Sequence, residues 1–289
     1  MKAPDVGIRA IGTCLTAHPT DARSGGSSTA LACPATGWET TVAAGRSATE
    51  DALRRAGLSV AELAQPYYLV CRESPEDGAG PLTGRRVLDG LGVGRAYSQQ
   101  AGHDVDGALL LLRTLAAQLA SNRLVRRGLL LAPLHTGATG PADGAEGKVQ
   151  RGAAVLLAEE GWPHNRIRAV LTRTTPYSRG DDRQAGTLDL DALGSLVDRV
   201  LRASHTTWAG IDRVALHTAD PEQGRRFRQH FALRDDQVSD CGPDLGYIGS
   251  AGLLIALQRI LDTRPPAGSK VLATALGRDG TWSAAVVEA

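Results

Sequence analysis

The stretch Tyr97–Pro133, YSQQAGHDVDGALLLLRTLAAQLASNRLVRRGLLLAP, decides how the chain is read. It divides into an extended segment, a tight turn, a helix, a short turn and a buried strand. Ala108, Leu111, Leu112, Leu115 and Leu119 recur at helical spacing, and Leu109 and Leu110 widen the apolar stripe. A helix apolar over most of its surface is one buried on most sides. The run Gly128–Pro133 is short and apolar, as a strand covered on both faces is. The turn Gly102-His103-Asp104-Val105-Asp106-Gly107 lies between strand and helix. A sharp turn there exposes one side chain and aims backbone N–H groups at a developing oxyanion.

Outward from this centre the same grammar repeats. Strands are expected over Val6–Leu15, Tyr67–Cys71, Gly152–Ala158, Arg166–Thr172, Arg213–His217, Lys270–Leu276 and Trp282–Val287. Helices are expected over Thr41–Gly57, Arg85–Leu91, Leu188–Ser204, Pro221–Phe231 and Gly246–Leu261. Strands alternating with helices give an α/β fold with largely buried strands. At 289 residues, the chain suits one large domain or two fused halves. We divide it into an N-terminal half, residues 1–162, and a C-terminal half, residues 163–289.

Composition narrows the function classes. The net charge is +1, against the basic patch that nucleic acid or an anionic membrane attracts. Cys14, Cys33, Cys71 and Cys241 form no Cys-x-x-Cys pair. The pattern of reduced, dispersed thiols is that of a cytoplasmic protein. Pro4 and Asp5 interrupt the start where a signal peptide needs an apolar run. The histidines match no metal-ligand spacing, so neither a metal nor a cofactor is expected.

Several segments, in order, resemble the ketoacyl-ACP synthase III branch of the thiolase superfamily. They are Thr49–Leu58 (TEDALRRAGL), Arg151–Leu157 (RGAAVLL), Asp212–Asp220 (DRVALHTAD), Leu245–Gly252 (LGYIGSAG) and the closing segment Val271–Val287. The Gln99-Gln100 pair and the Leu-Gly-x-x-Gly segment lean toward the secondary-metabolism acyltransferases of that branch. The resemblance implies a five-layer αβαβα sandwich of two similar halves, and a dimer. It places Val105 where the family has its nucleophilic cysteine, with Asp104 or Asp106 there if the alignment slips by one. Both aspartates serve equally as caps of the following helix. His217 falls on the family's catalytic histidine, though a retained core histidine fits the same pattern. Tyr247 stands where condensing enzymes carry Asn, and Gly252 where related acyltransferases carry Asp. Asp279, in Gly277-Arg278-Asp279-Gly280, puts a carboxylate in a loop that serves the oxyanion in the family.

A thioester exchange needs a nucleophile that is also a good leaving group, and valine is neither. Two functions are therefore expected. One is a non-condensing subunit of polyketide or fatty-acid-derived secondary metabolism, paired with an active ketosynthase-like homologue. The other is a stand-alone acyltransferase that uses His217 to move an acyl group from a CoA or carrier-protein thioester. Acyl carrier protein or acyl-CoA is the expected small partner, and a homodimer the alternative assembly. Intact-mass spectrometry after exposure to acyl-CoA should find no stoichiometric adduct on residues 102–107. An adduct mapped there would overturn the alignment.

Overall fold

The computed structural model describes residues 5–17, 38–63, 66–72, 83–102, 107–135, 149–174, 190–218, 221–241, 245, 248–276 and 281–289. The first half runs β1 (Val6–Ala17), α1 (Trp38–Ala56), β2 (Tyr67–Arg72), α2 (Thr83–Gly90), β3 (Tyr97–Gly102), α3 (Gly107–Ser121), β4 (Arg127–His135) and β5 (Val149–Glu160). The second runs β6 (Arg166–Thr174), α4 (Leu190–Ala203), β7 (Arg213–Thr218), α5 (Pro221–His230), β8 (Val238–Asp240), α6 (Ser250–Asp262), β9 (Lys270–Leu276) and β10 (Thr281–Glu288). The element order of one half is the element order of the other.

The strands lie in the order β3-β2-β4-β5-β1-β6-β10-β9-β7-β8. Read from its middle outward, each side repeats the other: β1-β5-β4-β2-β3 against β6-β10-β9-β7-β8. The two sides meet through a single residue pair, Gly7 with Arg166. They therefore act as two five-stranded sheets hinged at one edge. Within each, four strands run the same way and one, β5 or β10, runs against them, pairing antiparallel with both its neighbours.

Side-chain alternation along the strands sets the layers. On β4, Leu130 and Ala132 join one core while Leu129 and Leu131 join another. On β5, Ala154, Leu156 and Ala158 point one way and Ala153, Val155 and Leu157 the other. On β10, Ala285 and Val287 join the central core and Ala284 and Val286 an outer one. Each sheet is thus apolar on both faces and needs helices on both. α3 and α6 fill the space between the sheets. α1 and α2 cover the outside of the first, α4 and α5 the outside of the second. This is the five-layer αβαβα sandwich.

α3 spans the helix read from Leu-rich periodicity, with Leu109, Leu111, Leu112, Leu115 and Leu119 buried. α1 lies so close to β1 that a Cβ on Gly12 would fall 2.8 Å from the Ala52 Cα. Small residues at Ala48 and Ala52 permit that approach. The observed α6 starts at Ser250 rather than Gly246, because Gly249, at φ 54°, forms its N-cap outside helical space. The three-residue β8 was not expected, being too short for a periodicity signal. Gly128–Pro133 lies in β4, between β2 and β5, so it presents no free edge; among the described residues β3 does. Among the described residues, no helix is long and apolar enough to cross a membrane.

A bulge repeats with the fold. The β1–β5 pairing skips Arg9, between Ile8 and Ala10; the β6–β10 pairing skips Arg168, between Ile167 and Ala169. Each extra residue is an arginine aimed at a glutamate on the neighbouring strand. Arg9 binds Glu159, which Arg127 also holds at 3.2 Å. Arg168 binds Glu288 through two bonds, 3.1 and 2.6 Å. Burial alone would raise the Glu159 carboxyl's pKa, but hydrogen bonds and charge from Arg9 and Arg127 outweigh it and hold it below the usual glutamate range.

The first ion pair is the more buried, with side chains 16% and 11% exposed against 32% and 24% for the second. Glu159→Ala should therefore cost about 3 kcal/mol, as removal of one partner of a buried pair does. Glu288→Ala should cost about 1 kcal/mol. Urea midpoints measure both. Because the folded-state pKa of Glu159 is depressed, its contribution is complete above the ordinary glutamate range and is lost as pH falls through the folded value. The gap between wild type and Glu159→Ala should accordingly close in acid.

Candidate active site

Parallel strands β2, β3 and β4 of one sheet, and β7, β8 and β9 of the other, send their C-terminal ends toward the turns that start α3 and α6. In such sheets ligands gather beyond the strand ends. His217 occupies the penultimate position of β7, in register with Ala275 of β9, and is fully buried. It sits there because β7 alternates. Ala215 faces the central core, Val214 and Leu216 the outer one, and His217 falls on the central side.

The first turn of α6 presses against this imidazole. A Cβ built on Gly252 would lie 2.5 Å from Nδ1 and 2.6 Å from Nε2 of His217. Glycine at 252 is what lets the ring occupy its place. Cys241, directly after β8, completes the group. Its thiol donates to the Gly252 carbonyl at 3.2 Å, and its sulfur lies 3.9 Å from His217 Nδ1. With Nδ1 turned toward Cys241, Nε2 is the nitrogen on the ring's other edge. An imidazole so held can exchange a proton with an acceptor or donate to a thioester oxygen through that atom.

The structure thus brings His217 and Gly252 together, as two of the expected site positions. Val105, with Asp104 and Asp106, falls in the four-residue connection between Gly102, the end of β3, and Gly107, the start of α3. Tyr247 precedes α6, and Asp279 lies in the β9–β10 connection. All five lie outside the described residues. Cys241 was not singled out as a site residue. The signal that finds it is its place after β8, and that strand is only three residues long. No three of His, Cys, Asp and Glu converge as metal ligands among the described residues.

A family model for the C-terminal region of 3-oxoacyl-[acyl-carrier-protein] synthase III matches residues 201–289, from the end of α4 through β10. That span holds His217, Cys241 and Gly252. Solved structures match over the whole chain. Cerulenin-bound OleA of Xanthomonas campestris superposes with a TM-score of 0.79 at 15% identity, covering 100% of both chains. The acyltransferase ChlB3 gives 0.78 at 18% identity, covering 98% of this chain and 97% of its own. 3-Oxoacyl-[acyl-carrier-protein] synthase III of Aquifex aeolicus gives 0.77 at 16% identity, covering 98% and 100%. The chain has a ketoacyl-ACP synthase III-like, thiolase-type fold. No curated protein matches it in sequence.

For this synthase III-like chain the tightest constraint at the site is steric. Gly252→Ala should force the His217 ring or the α6 turn to move, at about 1–3 kcal/mol, the usual cost of overpacking a filled core. Thermal unfolding measures the loss. A variant as stable as the parent would mean that α6 and His217 are not in contact.

Proposed function

We propose that this chain is a non-condensing, synthase III-like subunit of polyketide or fatty-acid-derived secondary metabolism, which pairs with a catalytically complete ketosynthase-like homologue. One observation carries the reading. β3 ends at Gly102 and α3 begins at Gly107, so the turn that would hold the nucleophile is His103-Asp104-Val105-Asp106. Whichever way the alignment slips, no thiol enters it. A chain without its nucleophile keeps its fold for its surfaces, and two surfaces support this role.

The first is β3, which is the free edge of the first sheet among the described residues. An exposed edge offers unpaired backbone groups to another strand. Tyr97 is half exposed there, its ring stacked on Tyr67 at 6.1 Å, and the Tyr67 hydroxyl donates to Gln99 at 3.0 Å. The same edge serves a second copy or a homologue, because the interface across a two-fold uses one patch twice. The second surface is α5, whose solvent side carries Arg225, Arg226 and His230. A basic helix suits the acidic surface of a carrier protein or the phosphates of CoA.

Light scattering on the chain alone and mixed with a ketosynthase-like homologue tests the pairing. The expected result is a stable pair, weakened at least tenfold by Tyr97→Glu. A lasting monomer in both samples would overturn it.

The buried imidazole of His217 favours a second reading, a stand-alone acyltransferase. An acceptor hydroxyl or amine would attack the thioester carbon while His217 takes its proton. The C–S bond would then break, with that proton passing to the leaving thiol. Under this reading the chain, incubated with acyl-CoA and an acceptor, releases free CoA, and His217→Ala abolishes the release. Under the first, neither protein releases any.

A further inference from the structure

The repeat permits a comparison within one molecule. α1 and α4 are equivalent, as are α3 and α6, β1 and β6, β5 and β10. In the first half the end of α1 is strapped down. Arg9 donates to the Ala56 carbonyl at 3.0 and 3.3 Å and lies 4.6 Å from the ring centre of Trp162. Arg55 reaches Asp262 at the end of α6 through bonds of 3.0 and 3.1 Å.

The second half is built differently at the same place. Arg168, the counterpart of Arg9, is bonded to Glu288, and among the described residues no bond joins it to the end of α4. Between α3, β6 and the end of α4 lies an open cleft of about 910 Å³. That volume is in the range of small-molecule sites.

The lining has two parts. Ala116, Ala117 and Ala120 of α3, with Ile167 and Val170 of β6, form an apolar floor. From Arg113 to Ser121 this wall of α3 runs about 12 Å, at 1.5 Å per residue. The rim is charged: Arg113, Arg168 and Lys270 stand against one carboxylate, Glu288. Arg168 matches that carboxylate through its two bonds, so Arg113 and Lys270 are in excess. His205 joins them through an unusual backbone. It closes the last turn of α4 at φ 52°, where the first half closes α1 with Gly57 at φ 65°. Both turns are completed by the same bond one residue on, Thr206 N–H to the Leu201 carbonyl and Leu58 N–H to the Leu53 carbonyl, each 2.9 Å. A side chain in left-handed space is costly where glycine would serve. Here it sets an imidazole on the cleft wall.

We propose that this cleft binds a small carboxylate with an apolar chain of medium length. Lys270, Arg113 and His205 hold the head, and the chain lies along the alanines of α3. The site is separate from His217. Ala275, the partner of His217, is five residue steps along β9 from Lys270, about 17 Å.

Calorimetric titration of the full chain with decanoate, below its micelle-forming concentration, tests the site, with decanol and inorganic phosphate as controls. Decanoate should bind with one-to-one stoichiometry, decanol at least tenfold more weakly, and phosphate not measurably. The double variant Arg113→Ala, Lys270→Ala should weaken decanoate at least tenfold. Ala117→Trp, which fills the cleft from an exposed helix face, should abolish binding. His205→Gly should raise the melting temperature while lowering the affinity; a His205 with only a structural role would raise the first and leave the second. Equal binding of decanol and decanoate would overturn the proposal, as would unchanged affinity in Ala117→Trp or no decanoate binding at millimolar concentration.

Discussion

Two sheets that are apolar on both faces impose the rest of this architecture. A strand such as β4, with Leu129, Leu130, Leu131 and Ala132 all buried, leaves no face for water. Helices must cover it twice over. The most economical arrangement of two such sheets shares one helical layer between them. α3 and α6 are that layer, and their side chains enter one continuous core with residues from both sheets. Each fully buried leucine there contributes about 1.5–3 kcal/mol. His217 packs against the start of α6, so that imidazole and the core share a support.

Much of the fold was legible because it is written in periodicity. The Leu-rich helix after Gly107 and the alternating strands around it carry strong patterns at spacings of 3.6 and 2. What escaped is what has no period. β8 is three residues long, and its place at the sheet edge comes from pairing with β7, a contact between distant residues. The relation of Cys241 to His217 depends on that strand and was invisible for the same reason. The end position of the Gly246–Leu261 helix was readable and its start was not, because Gly249 departs from helical space only in the folded chain.

The candidate site was legible by position more than by chemistry. His217 was named from a motif, and its burial against the first turn of α6 comes from the fold. Gly252 was noted as the absence of a carboxylate. In the structure it has a positive part, since its lack of a side chain makes room for the imidazole. A residue defined by what it lacks in one lineage can be required for what it admits in another.

The paired arginine bulges also bear on how the strands find their places. Alternation normally anchors a strand, because a slip of one residue would turn polar groups inward and apolar groups outward. In β1, β5 and β10 a slip exchanges one apolar set for another, and burial alone discriminates weakly. Arg9 against Glu159 and Arg168 against Glu288 supply the missing discrimination, for a shifted strand would part each arginine from the carboxylate it bonds. These two pairs act as alignment pins: they add little to cohesion compared with the core, and they decide which of several equally greasy alignments the chain adopts.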